Sequence, residues 1–394
     1  MDLPWEEPLA GWDTARLVRM AHGVSRHVVR FVAYEDRVYA VKETEPAAAE
    51  REYRMLRRLR IENLPAVEPV GVVTGRCRSG GEPLPAALIT RYLDYSLPFH
   101  YLFGREGSPR LNAKLIDAAV VLLVRLHLEG FYWGDCSLSN LLFRRDAGAL
   151  MAYLVDAETA EHTPGLADRR RIADLEVAQE NLIGGLSDLV AAGRLDPATD
   201  VVAVAEELGA RYRALWDELT GPEEVDADDR QAIERRIRRL NDIGFDVEEL
   251  DVAFTADGNR LVLRPALVEE GHHARELRRL TGLEVQENQA RRLLNDISAY
   301  GAYLASATGR SLAPAVAAAR WIADVYEPIT AQIPAELRGR LEPAEFFHEL
   351  LEHRYLRSER EGRSVPNPEA VASYLATVLP ERPEERLLAV HDDA

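Results

Sequence analysis

From Leu111 to Asp156 the chain runs an apolar helical pattern, a polar loop and a short apolar strand in immediate succession. Leu111–Gly130 has the helical period, and its uncharged run Ala118–Val124 is bounded by Asp117 and Arg125. The loop that follows belongs to L-H-L-E-G-F-Y-W-G-D-C-S-L-S-N-L-L-F, and the next strand, in A-Y-L-V-D-A-E, delivers Asp156 at its end. Asp135 therefore sits in a loop, Asn140 five residues later, and Asp156 at the end of a strand. This order, with a helix before it and a strand after it, constrains the fold more than any single residue does.

Upstream, the pattern changes period twice. Residues 15–21, 27–34 and 37–42 alternate and are β-branched, with a turn at Glu35–Asp36, so they predict an antiparallel meander. From Pro46, Ala49, Tyr53, Leu56 and Leu59 recur at helical spacing until Pro65. Residues 67–73 and 86–90 are two more strands, giving five strands and one helix in the first 90 residues. Lys42 ends the third strand in V-Y-A-V-K. Glu52 lies on the helix in the phase of Met55, Leu56 and Leu59, which aims it at the sheet and at Lys42.

Lysine is rare here: of 48 basic residues only Lys42 and Lys114 are lysine. In so arginine-biased a chain a lysine is kept where a compact ammonium is needed. The net charge of −18 argues against a surface for nucleic acid or anionic membrane. The charge is uneven, −2 over residues 1–164 and −16 over 165–394, which suggests two regions with different tasks. The acidic start M-D-L-P-W-E-E-P has no signal-peptide pattern, and the Ala118–Val124 run is far too short for a membrane span. Cys77 and Cys136 make no disulfide framework, so a reducing cytoplasm is expected.

Phosphoryl transfer from a nucleotide needs a cation for the phosphates, a carboxylate for magnesium, a second carboxylate for the acceptor hydroxyl, and an amide that helps with the metal. Lys42, Asp156, Asp135 and Asn140 supply these in order, with Glu52 to hold the lysine. Over roughly residues 14–220 the pattern resembles the protein-kinase-like fold, and within it the lipopolysaccharide-sugar kinases, aminoglycoside-type phosphotransferases and small atypical kinases. The whole chain, including L-T-G-L-E-V-Q-E-N-Q-A-R-R-L-L-N-D and L-E-P-A-E-F-F-H-E-L-L-E-H-R, resembles an actinobacterial family. That family joins a lipopolysaccharide-kinase-like lobe to a C-terminal domain of unknown function.

The resemblance implies an α+β, bilobal kinase-like fold followed by a mainly helical C-terminal domain, divided as residues 1–90, 91–220 and 221–394. It implies ATP and Mg2+ as cofactors, with Lys42 on the phosphates, Glu52 holding it, and Asn140 and Asp156 on magnesium. Asp135 would orient or deprotonate the acceptor. The stretch from Ile89 through Arg91, Tyr92 and Leu93 would be the hinge that meets adenine through its backbone. Asp174, in A-D-L-E-V-A-Q-E-N, would support the catalytic loop from a helix.

Three departures stand beside it. The glycine-rich loop is reduced to Gly23 in A-H-G-V-S-R-H-V-V, with Ser25 and Arg26 as supplements. Ala157 and Glu158 replace the phenylalanine and glycine that follow the metal aspartate in protein kinases. No phosphorylatable activation segment follows Asp156. The last two favour a small-molecule, sugar or lipid-headgroup acceptor over a protein. The first favours the rival reading, a pseudokinase scaffold that acts through partner proteins; adenylyl transfer is a third reading.

Beyond the lobe, residues 171–193, 197–220 and 226–243 predict helices, and 248–266 a hairpin around A-D-G-N. The remainder is mostly helical, with breaks at Pro314, Pro328, Pro334, Pro343, Pro366 and Pro368. The histidines of H-E-L-L-E-H, at i and i+5, fall roughly 140° apart on a helix, so they predict an amphipathic helix rather than a zinc pair. His127 and Trp133 are expected in the core, and Cys136 as a small packed residue.

Overall fold

The computed structural model describes residues 2–20, 27–35, 37–103, 109–221, 223–226, 247–254, 260–267, 271–310 and 312–385, by backbone alone at 138, 223–226, 247–254, 260–267 and 308. Two compact units emerge. The first runs through Arg144 and resumes over Leu150–Glu218; the second takes Arg145–Ala149 and the described residues from Leu219 on.

The first unit begins with an antiparallel five-stranded sheet: β1 (Leu17–Val18), β2 (Val29–Tyr34), β3 (Arg37–Thr44), β4 (Pro69–Val73) and β5 (Ala86–Arg91), in the order β1-β2-β3-β5-β4. Lys42 pairs with Val29 on one side and Leu88 on the other. Between β3 and β4 runs α1 (Pro46–Ile61), with Pro46 in its first turn, where a missing N–H costs nothing. Its buried residues Ala49, Glu52, Leu56 and Leu59 form one stripe, so Glu52 faces inward as the spacing predicted.

Strand alternation separates the sheet's two faces. Val32, Val41, Ala87 and Ile89 pack with Leu3, Leu9 and Trp12 of the N-terminal segment. That segment is pinned by the buried Arg76 guanidinium, which donates to the Trp5 and Glu7 carbonyls and to the Glu43 carboxylate. Phe31 and Tyr92, by contrast, pack with Met20 and border on Val29, Val38 and Ala40.

A short strand β6 (Leu97–Pro98) and a helical turn α2 (Phe99–Leu102) lead to α3 (Pro109–Leu128), whose middle is buried throughout. Then come β7 (Phe131–Tyr132), β8 (Leu141–Asp146), β9 (Ala149–Leu154) and β10 (Glu161–His162). β7 pairs with β10, and β6, β8 and β9 form a second small sheet. The loop between α3 and Asp156 is thus more strand-like than the sequence suggested. The β8–β9 turn is made by Ala147 and Gly148, both at positive φ, a feature that apolar alternation does not report. Helices α4 (Asp168–Ala191) and α5 (Val201–Thr220) close the unit.

In the second unit, β12 (Val247–Phe254) and β13 (Arg260–Leu267) are the two arms of the expected hairpin. Glu223–Asp226 adds β11 beside β13, so Asp226, read from sequence as a helix start, ends a strand instead. Its ladder partners supply hydrogen bonds that a local propensity reading cannot anticipate. The rest of the helix expected over 226–243, the Arg235–Arg239 cluster and the A-D-G-N turn lie outside the described residues.

Six α-helices follow among the described residues: α6 (His272–Thr281), α7 (Glu287–Thr308), α8 (Pro314–Trp321), α9 (Glu327–Thr330), α10 (Pro343–Glu361) and α11 (Asn367–Thr377). Pro314, Pro328, Pro343 and Pro368 open helices, standing in their first turns. Their core is built on Trp321, Phe346, Phe347 and Tyr374, all at most 1% exposed.

The turn Arg145–Ala149 is held within this unit by buried carboxylates. Asp146 accepts from the Gln289 N–H at 2.8 Å and from the Asn288 side chain at 3.0 Å, which caps α7. Glu345 accepts from the Ala147 and Gly148 N–H groups and from Gln289 Nε2. Arg145 Nε donates to Glu385 at 2.8 Å. Burial pushes Asp146 up to about 6 against the pull of these donors, and Glu385 up to about 7 against Arg145.

On α10, His348 lies beside Arg292, and His353 meets Ser373 Oγ at 3.0 Å, so the two histidines do diverge. Among the described residues no helix is long and apolar enough to cross a membrane.

Candidate functional site

Lys42 reaches three carboxylates with one ammonium. Its Nζ lies 3.0 Å from Glu52 Oε2, 2.6 Å from Asp156 Oδ2 and 3.3 Å from Glu158 Oε2. Glu52, from α1, is 1% exposed, whereas Asp156 and Glu158 remain partly open. Burial alone would lower the lysine, but Glu52 and Asp156 more than reverse that and hold it above the ordinary lysine range. Burial raises Glu52 to about 7; repulsion from Asp156 adds to the rise and the attraction of Lys42 opposes it.

The three carboxylates offer oxygens within 4.8 Å of one another, a hard-donor set of the kind magnesium takes. With all three ionised, one ammonium leaves two negative charges uncompensated. That charge excess fits a divalent cation. His27 Nε2 adds a contact to Glu158 at 3.2 Å.

The loop that carries Asp135 is fixed from beneath. Asp174 on α4, fully buried, accepts the N–H of Trp133 at 2.7 Å and of Gly134 at 2.8 Å. His127 Nε2 lies 3.0 Å from the same carboxylate, and its Nδ1 lies 2.6 Å from Tyr212 Oη. Burial lowers His127 even against the carboxylate, so the ring is neutral near pH 7. A neutral ring between an acceptor-only carboxylate and a hydroxyl carries its proton on Nε2 and accepts the tyrosine hydroxyl on Nδ1. Arg171 completes the chain by donating to Tyr212 Oη.

Gly134 has φ +80°, and a Cβ there would meet the Tyr132 ring at 3.0 Å and the Thr159 carbonyl at 3.1 Å, so the residue before Asp135 has to be glycine.

Trp133 is core, as expected, and it also links the loop to Asp156. Its Nε1 donates to the Asp156 carbonyl, and its own carbonyl accepts from Thr159 Oγ1. Asn140 donates from Nδ2 to the Asp135 carbonyl at 3.2 Å, and the Asn140 carbonyl accepts the Val155 N–H. Asp135, Asn140 and Asp156 are thereby tied through backbone into one framework. Cys136 is buried, and burial with Asp174 and Asp135 nearby pushes its thiol well up, which leaves it inert.

The hinge stretch is placed differently in its parts. Ile89 and Arg91 belong to β5. The Arg91 N–H donates to the Glu68 carbonyl and the Tyr92 N–H to Val38, while the Leu93 carbonyl accepts from Ser96 Oγ. Gly23, Ser25 and Arg26 lie outside the described residues.

The sequence reading passed over Asn181, whose Nδ2 lies 3.2 Å from Asp135 Oδ1, and noted Glu158 only as a departure from pattern. A signal for Asn181 existed, because it follows Asp174 by seven residues, two helical turns along α4.

Residues 30–183 match the lipopolysaccharide kinase (Kdo/WaaP) family, and residues 214–379 match a domain of unknown function, DUF4032. The chain carries a Kdo/WaaP-family domain followed by a DUF4032 domain. The Kdo/WaaP-family match takes in Lys42, Glu52, Asp135, Asn140, Asp156 and Asp174, so this α+β part of the chain is kinase-like by family. Among solved structures, WaaP in complex with acyl carrier protein matches at 15% identity over 59% of this chain and 89% of that one, with a TM-score of 0.35. No curated protein matches the chain significantly.

Proposed function

We propose that the chain is an ATP- and magnesium-dependent phosphotransferase that moves the γ-phosphoryl group to a hydroxyl acceptor. The observation that carries this reading is the single Lys42 ammonium shared by Glu52 and Asp156. Bound with magnesium, ATP would supply the transferable group and the metal's charge neutralisation.

In this reading Lys42 holds the phosphates and Glu52 keeps its side chain extended. Asn140 and Asp156 hold the metal, and Asp135 orients the acceptor hydroxyl and takes its proton. Catalysis is then mainly positioning and charge neutralisation. A sugar, lipid headgroup or other small molecule is the preferred acceptor, since Asp156 is followed by Ala157, Glu158 and no activation segment. Of the hinge residues, Leu93 stands beyond the sheet bonds made by Arg91 and Tyr92, which makes its backbone the preferred adenine contact. Lobes at 1–90 and 91–220, a C-terminal domain at 221–394 and a cytoplasmic setting belong to the same proposal.

The test is calorimetric titration of ATP, with and without Mg2+, into the wild type and Asp156→Ala. Submillimolar binding that needs both the metal and Asp156 supports the reading. Absence of heat, together with absence of thermal stabilisation, removes it.

One observation favours a pseudokinase scaffold instead. Phe31 and Tyr92, each 8% exposed, pack edge to face at 5.7 Å. They lie on the sheet face that carries Lys42, where a base attached to the phosphates would have to lie. If these rings stay in place, nucleotide is excluded, and Phe31→Val restores binding that the wild type lacks.

A further inference from the structure

We infer that Asn181 is a positioning residue for Asp135, its carboxamide setting the plane in which the Asp135 carboxylate meets the acceptor. The inference rests on the phosphotransferase reading above. Asn181 Nδ2 lies 3.2 Å from Asp135 Oδ1 and 3.4 Å from the Cys136 carbonyl. Both partners are oxygens that only accept, so the nitrogen of the carboxamide must face them. Its two hydrogens match two acceptors on adjacent residues. An aspartate has two side-chain torsions, and a bond to one of its carboxylate oxygens restrains both. Here the donor comes from the helix α4 rather than from the loop itself.

The helix is suited to this. Asp174, Ala178 and Asn181 stand at i, i+4 and i+7 of α4, one stripe along its loop-facing side. Ala178, 2% exposed, is the small residue between the two polar ones and lets the helix lie close to the loop. The stripe divides the work. Asp174 holds the backbone at Trp133 and Gly134, and Asn181 holds the side chain of Asp135 and the backbone at Cys136. A neutral carboxamide gives direction without placing a second charge beside a group that must receive a proton. Neither contact touches the Lys42 cluster, so Asn181 governs the acceptor side and leaves the nucleotide side unchanged.

The test uses the full chain with Asn181→Leu, which keeps the approximate shape and removes the donor, and Asn181→Asp, which puts a like charge in its place. Amide hydrogen exchange is read over residues 133–140, with the melting temperature and the kcat and KM of ATP consumption with water as acceptor. The expected result in Asn181→Leu is exchange faster by about 3- to 10-fold over 135–140, with Trp133 and Gly134 still protected by Asp174. Turnover falls roughly 10- to 100-fold at an unchanged KM for ATP. Asn181→Asp is worse in both, and the melting temperature moves little. Unchanged exchange with kcat within about twofold overturns the inference. So does a general loss of protection over 133–140 with a lowered melting temperature and a raised KM, which describes a structural residue only. If the wild type neither binds nor consumes ATP, the phosphotransferase reading fails by itself, and the exchange pattern alone decides for or against Asn181.

Discussion

The Lys42 ammonium lies 2.6 Å from Asp156 Oδ2 although 114 residues separate them, and its other close partner, Glu52, is buried on α1. One cation thus joins the third strand, the first helix and the segment after β9. Lys42→Met removes the only described counter-charge that touches all three carboxylates. Breaking a buried pair from one side costs about 3–5 kcal/mol in the general case. Here Glu52 can take up a proton instead, so the loss of stability is expected at the low end. ATP consumption should vanish. Chemical denaturation beside an ATP-turnover assay checks both, and turnover that survives the change removes Lys42 from the site.

Glu52 gives the cluster a pH dependence of definite sign. Its folded pKa, about 7, stands above the ordinary carboxylate value of 4.5. The folded state therefore binds the proton more tightly than the unfolded state. The stabilisation is complete below about 4.5 and is lost as the pH rises through about 7. By linkage the full span is on the order of 3 kcal/mol. The melting temperature of the wild type should fall over this window relative to Glu52→Gln, whose slope should be flatter. Magnesium should stabilise the protein more at pH 8 than at pH 6, because the cluster then carries its full negative charge. Equal magnesium shifts at the two values would count against a metal on Asp156, next to Glu52 and Glu158.

What the sequence made legible follows from what each feature depends on. Lys42 and Glu52 were readable because a strand end and a helix phase are local features, whereas Asp174 was reached only through the family resemblance. The Lys42–Glu52 pair then follows from geometry alone. Asn181 was not read, because its partner lies 46 residues away and its only local signal is the two-turn spacing from Asp174. The grip of Glu345 on the Ala147 and Gly148 amides was hidden for the same reason, 198 residues apart at the first contact. Strand β11 went unread, and Asp226 was taken as a helix start, because its ladder partner, and not its composition, makes Glu223–Asp226 extended. The Arg91 and Tyr92 amides were read as available, yet sheet pairing at the end of β5 uses both.

Asp174 bears the loop that carries Asp135, and its replacement separates stability from chemistry. Asp174→Ala leaves the Trp133 and Gly134 amides and His127 Nε2 without their acceptor in a buried site. Each buried unsatisfied group costs about 1–3 kcal/mol, so a loss of several kcal/mol is expected. Trp133→Phe is the milder probe: it removes one bond to the Asp156 carbonyl and about 1 kcal/mol. It should lower turnover more than it lowers stability. Urea unfolding of both variants checks the ranking, and an Asp174→Ala protein as stable as the wild type would contradict the framework described here.

Glu345 offers the matching experiment in the second unit. Its carboxylate is 1% exposed and accepts from Ala147 N, Gly148 N and Gln289 Nε2. Glu345→Ala strands three donors, whereas Glu345→Gln keeps one oxygen in place and adds an amide that meets donors it cannot serve. Both should destabilise, Ala by about 2–4 kcal/mol and Gln by less. Asp146, which accepts from neighbouring amides of α7, stays charged more readily once the Glu345 charge is gone, because that charge helps to raise it. The Gln variant should therefore lose less stability as the pH rises through about 6 than the wild type does. Thermal unfolding from pH 5 to pH 8 decides this. Parallel curves for Glu345→Gln and the wild type would mean that the two carboxylates do not sense each other.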